Sequence, residues 1–113
     1  MAKLQQTTSL PTNIRVGSFD IKIKLQHNLT NMSGDEGSYI ESEQTILLDK
    51  SLIELKNSYS LALIWHEICH AIFSQYSLSG QVEEITVNSF SQGIVQVLRD
   101  NPIFQKWGKE CIT

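Results

Sequence analysis

The 113 residues suit one domain, and with 41% of them hydrophobic the chain can bury a single packed core. A formal net charge of -3, with lysines and arginines scattered rather than bunched, offers no electrostatic footprint for nucleic acid or an anionic membrane, so neither is expected as a partner. No stretch approaches the roughly 20 apolar residues that span a bilayer, the first ten lack a signal-peptide core, and Cys69 and Cys111 make no disulfide framework; a soluble, cytoplasmic protein is expected.

Residues 1–17 are polar around Pro11 and lack a period, which predicts a loose arm with at most one turn near its end. From Phe19 to Gln26 the chain alternates, with Phe19, Ile21, Ile23 and Leu25 on one side and Asp20, Lys22, Lys24 and Gln26 on the other, the pattern of a half-buried strand. His27 to Gly37 is rich in turn formers and reads as a loop. Two short β-leaning runs, Ser38 to Glu41 and Gln44 to Asp49, read as a hairpin around Ser42-Glu43. Asn57 to Tyr76 then reads as a long helix, apolar nearly all round and so buried on most sides, with Asn57 or Ser58 as N-cap. A second helix is expected from about Gln81 to Arg99, stopped by Asn101-Pro102, and a helical turn from Ile103 to Trp107. The expectation is one α+β domain over residues 1–113: a small antiparallel or mixed sheet of about three strands packed on two main helices.

The long helix carries Trp65-His66-Glu67-Ile68-Cys69-His70, and therefore His-Glu-x-x-His. A spacing of four puts both imidazoles on one face, one turn apart, where both can reach a single ion. Glu67 stands about 100° round from His66, beside the ion rather than aimed at it, as suits a general base acting on water. Chance histidines flanking a glutamate are the plain alternative. Against it, burying these three side chains in so apolar a helix costs several kcal/mol unless they are paired or coordinated.

Zinc needs a third protein ligand if a fourth position is to stay open. The remaining histidine, His27, lies upstream in the loop, so a carboxylate is the better candidate, and the second helix offers Glu83 and Glu84. One turn after Glu84 stands Asn88, able to accept a hydrogen bond from a ligand histidine's second nitrogen, whereas Glu83 has Val87 there. Glu84 is favoured on that ground, with Glu83 read as a solvated acid at a helix start.

His66-Glu67-x-x-His70 on one helix followed by Glu84-x-x-x-Asn88 on the next resembles the gluzincin metallopeptidases, over about residues 19–102. Asn88 departs from the commoner aspartate. The small size, with strands before the motif helix, is similar to the minigluzincins and to small phage-encoded metallopeptidases related to those that cut repressors. The resemblance implies Zn2+ held by His66, His70 and Glu84, peptide-bond hydrolysis with Glu67 as catalytic base, and a protein or peptide substrate extended along a sheet edge. Gln44 to Leu48, the strand nearest in sequence to the motif helix, is a candidate for that edge.

Tyr76, Tyr39 and His27 are candidate donors to an oxyanion. Cys69, about 60° from His66 on the side away from Glu67, reads as a core thiol, and Trp65 and Trp107 as core or rim aromatics. Gly34 and Gly37 read as turn residues, with a hinge as the alternative. The competing functional class is a catalytically silent or latent, zinc-stabilised protein-binding domain. A structural zinc site, however, has no need of Glu67 and takes four protein ligands. A zinc deaminase is disfavoured because no Pro-Cys-x-x-Cys follows the motif.

Overall fold

The computed structural model describes residues 8–75 and 83–113. Asn13–Val16 (β1) and Phe19–Gln26 (β2) form an antiparallel hairpin through Gly17-Ser18. The expected loose arm therefore contains a strand. Its period is only two residues deep, Ile14 and Val16, but both are fully buried, and pairing with β2 stabilises what four isolated residues could not. In β2 the expected inward face is kept at Ile21 and Ile23, whereas Phe19 and Leu25, at the strand's two ends, are about two-fifths exposed.

The turn-rich segment after β2 holds a single short helix, Leu29–Ser33 (α1), and leads into Gly37–Ile40 (β3). A 3-10 turn, Glu41–Glu43, with Gln44 in the left-handed region, returns the chain as Thr45–Asp49 (β4). β4 does not stay beside β3 alone. It inserts between β3 and β2, antiparallel to the first and parallel to the second, giving a four-stranded mixed sheet in the order β1-β2-β4-β3. The sheet thus has four strands where three were expected, and its edges are β1 and β3, with the Gln44 to Leu48 run in the interior. β4 is covered on both faces, with Ile46 and Leu48 buried on one and Thr45 and Asp49 buried on the other beside a half-buried Leu47.

Asp49 ends β4 and serves as N-cap of Lys50–Glu54 (α2), accepting from Ser51 N and Oγ on one oxygen and from Thr30 N and Oγ1 on the other. Those four donors hold its carboxyl far below the usual range. Ser58–Gln75 (α3) begins with a reciprocal cap. Asn57 Oδ1 accepts from Ser60 N at 3.0 Å, Asn57 N donates to Ser60 Oγ at 3.2 Å, and Ser60 Oγ donates in turn to the Leu52 carbonyl.

α3 lies across the sheet and buries Leu63, Ile64, Ile68, Ala71 and Ile72 in the core shared with Ile14, Val16, Ile21, Ile46 and Leu48. Glu83–Asp100 (α4) packs beside it at Gly93, where a Cβ would come within 2.9 Å of Ile72, so a larger residue there would push the helices apart. Pro102–Cys111 (α5), longer than the expected turn, closes the core with Phe104, Trp107 and Cys111. Phe104 meets Trp65 edge-on at 5.6 Å and stacks on Trp107 at 6.3 Å, so both tryptophans serve packing. Lys56 Nζ clasps the two ends of the described chain, donating to the Thr8 carbonyl at 2.8 Å and to Glu110 at 2.7 Å. Among the described residues no helix is long and apolar enough to cross a membrane.

Candidate active site

α3 is less uniformly buried than its composition predicts. Tyr59, Ala62, His66, His70 and Phe73 are exposed, and their spacings of three and four place them in one stripe along the helix. The stripe stays open because the sheet stops at β3, and among the described residues nothing pairs with that strand's outer edge. β3 and the exposed stripe of α3 form the two walls of a groove. Tyr59, Ala62, Gly34 and Glu36 line one end, Tyr39, Glu41, Phe73 and Ser74 the other, and Asp35, Gly37, His66 and Glu67 belong to both.

His66 and His70 meet in this groove as the four-residue spacing requires, ring centroids 4.9 Å apart and planes at 79°. Both rings are exposed, so the expected burial cost falls on Glu67 alone, which is 3% exposed. Leu63 and Ile68 bring that side of the helix against the core, and β3 crosses directly above it. A Cβ on Gly37 would stand 3.3 Å from Glu67 Oε2 and 3.2 Å from the Leu47 carbonyl. Glycine at 37 is thus what lets the strand pass so close to the carboxylate, a close-packing role rather than a hinge.

Glu67 makes no hydrogen bond or ion pair with another described residue, and because no buried side-chain oxygen or nitrogen there lacks a partner, its carboxylate oxygens reach the solvent of the groove. Burial pushes its pKa up; the neighbouring His66 and His70 pull it partly back, and Asp35 pushes it up again. A carboxylate made more basic than usual and aimed into an open groove can accept a proton from a molecule bound there.

The edge of β3 is set by its register. Asp49 N donates to the Glu36 carbonyl at 2.8 Å, so Glu36, Ser38 and Ile40 direct their backbone groups to β4, and Gly37 and Tyr39 direct theirs outward along the groove. An extended chain could pair with those groups directly opposite His66 and Glu67.

Of the candidate oxyanion donors, Tyr39 lines the groove, His27 does not, and Tyr76 lies outside the described residues. Burial and the nearby Glu41 push the Tyr39 hydroxyl above its ordinary pKa, keeping it a donor at neutral pH, and Ser74 shares a hydrogen bond with it. Cys69 is a free, half-buried thiol whose pKa is raised by burial, in line with a packing role.

Glu83, Glu84 and Asn88 stand on the first turns of α4, but their side chains lie outside the described residues. Among the described residues no third histidine, cysteine or acid joins His66 and His70 in a metal-binding group. Two imidazoles one turn apart and open to a groove are a fitting partial donor set for zinc, which takes nitrogen ligands and a carboxylate oxygen.

Several groove residues escaped the sequence reading. Tyr59 lies seven residues before His66, two turns along the same face, and that spacing was legible; its hydroxyl donates to Glu36. Asp35, Glu36 and Glu41 carried no comparable signal, because their place depends on which strand is the edge. Compared with known proteins, the chain matches no family model, no curated protein and no solved structure.

Proposed function

We propose that this chain is a zinc-dependent metalloendopeptidase that hydrolyses a peptide bond in an extended protein or peptide segment lying along β3. The observation that carries this reading is Glu67: a buried carboxylate without a partner among the described residues, made more basic by burial, opening onto a groove beside two exposed imidazoles. The groove continues on both sides of His66 and Glu67, which suits cleavage within a chain rather than at its end.

His66 and His70 hold the metal, with Glu84 as third ligand and Asn88 orienting a ligand imidazole. When bound, zinc supplies a Lewis acid that polarises the scissile carbonyl and acidifies a water. The outward N–H and C=O groups of Gly37 and Tyr39 align the substrate backbone. Glu67 Oε2 removes the proton from the attacking water and returns it to the leaving amine, the same carboxyl acting as base and then as acid. The protonated Tyr39 hydroxyl donates to the carbonyl oxygen as it gains charge. A cytoplasmic location belongs to the same proposal, in keeping with two free thiols.

The test needs no known substrate. Zinc-loaded wild type and Glu67→Gln are incubated with a diverse peptide library, and new termini are compared by mass spectrometry. Cleavage by wild type and not by Glu67→Gln is expected. Elemental analysis should find about one zinc per chain. No zinc affinity sinks the metal assignment; a fourth protein ligand in a zinc-bound structure sinks the catalytic one and leaves a zinc-stabilised binding domain.

A further inference from the structure

Catalysis as proposed leaves the charge of the groove unused. Besides Glu67 the lining carries Asp35, Glu36 and Glu41, and among the described lining residues there is no lysine or arginine. Gly37 and Tyr39 share one face of β3, with Asp35 just before the strand and Glu41 opening the 3-10 turn just after it. That face looks at α3. Gly37 approaches Glu67, Ser74 Oγ donates to Glu41, and Asp35 lines the groove beside both Gly37 and Glu67.

Surface carboxylates alone would be solvated and mean little. Here they share a groove with Glu67, almost wholly buried, without a partner among the described residues and directed into the same space. Exposed carboxylates at both ends of the groove make a field that favours cations along its length.

We propose that the groove takes a peptide segment with lysine or arginine on both sides of the scissile bond, one met by Asp35 and Glu36, the other by Glu41. The position of the scissile bond rests on the peptidase reading above. The charge preference does not. At about 3.3 Å per residue, the six steps from Asp35 to Glu41 cover roughly 20 Å, so the two basic residues fall about six positions apart, on one face of a partner strand. An acidic segment is repelled at both ends.

Fluorescence anisotropy tests this with zinc-loaded Glu67→Gln, which removes turnover. The probes are a labelled ten-residue peptide carrying two lysines six positions apart in a serine-alanine background, and its glutamate counterpart. The lysine peptide should bind at least tenfold more tightly at low salt. The double change Asp35→Lys and Glu41→Lys should invert that preference, whereas Glu54→Lys, exposed and outside the groove, should not. Equal binding of the two peptides overturns the proposal, as does a preference that Glu54→Lys weakens as much as the groove changes. Wild-type cleavage in the library then separates the two readings. A lysine preference without any cleavage keeps the charge assignment and sinks the peptidase, whereas cleavage at sites with no basic enrichment does the reverse.

Discussion

The two faces of α3 obey opposite rules. Toward the sheet, Ile64, Ile68, Ala71 and Ile72 are fully buried and apolar, and the helix is held as any core helix is. Toward the groove, and partly beneath β3, a buried carboxylate stands without a partner among the described residues, flanked by two exposed imidazoles. Packing alone would not retain Glu67 there, since an unpaired buried acid costs stability. The contrast within one helix separates what makes this chain fold from what makes it act.

The largest effect expected is on the packed face. Ile68→Ala should cost about 2–5 kcal/mol of stability, read by urea denaturation, because the methylenes it removes are enclosed on all sides. On the groove face the signs reverse. Glu67→Gln should lower cleavage by roughly 100-fold or more while leaving the metal-free fold at least as stable, since the uncharged amide escapes the burial penalty. A stability loss comparable to that of Ile68→Ala would mean that Glu67 is part of the core after all.

Glu84→Ala should weaken zinc binding strongly, whereas Glu83→Ala should change stability by no more than about 0.5 kcal/mol, both read by zinc titration and thermal melts. Equal losses at the two positions, or a loss only at Glu83, would name the wrong carboxylate. Gly37→Ala should reduce cleavage about tenfold or more and also cost stability, because the added methyl would stand 3.1 Å from Leu48 Cδ2 and 3.2 Å from the Leu47 carbonyl as well as 3.3 Å from Glu67 Oε2. Unchanged kinetics would show that the close approach of β3 is incidental.

The smallest effect is visible only as a pH dependence. The folded-state pKa of Asp49 lies below its unfolded value, so its contribution is complete above about pH 4 and is lost as pH falls through that value and beyond. The stability gap between wild type and Asp49→Asn, measured by denaturation, should therefore be wider at pH 7 than at pH 3.

Helix periodicity, the Asn57 cap and the alternation of β2 were legible because each depends on neighbours in sequence. The groove was not. That β4 inserts between β2 and β3 follows from long-range pairing, and only that insertion makes β3 an edge and brings Gly37 over Glu67. β1 escaped notice because two inward residues make too short a period. The burial expected of His66 and His70 was misjudged for a related reason: the composition of α3 implies a helix covered on most sides, and the sheet ends one strand too early to cover it.

The clasp at Lys56 brings the two ends of the described residues together. Thr8 Oγ1 donates to Glu110 at 2.8 Å, so a short linker would span the distance between the two ends of the described chain. The ring so closed could be reopened between His27 and Asn28, which are exposed or only partly covered and lie between β2 and α1. The rearranged chain would begin with the groove wall and finish with the β1–β2 hairpin, every strand pairing intact. Order of synthesis and shape of the site would then be independent, and the groove's outer loop could be remade at a chain terminus without cutting into the core.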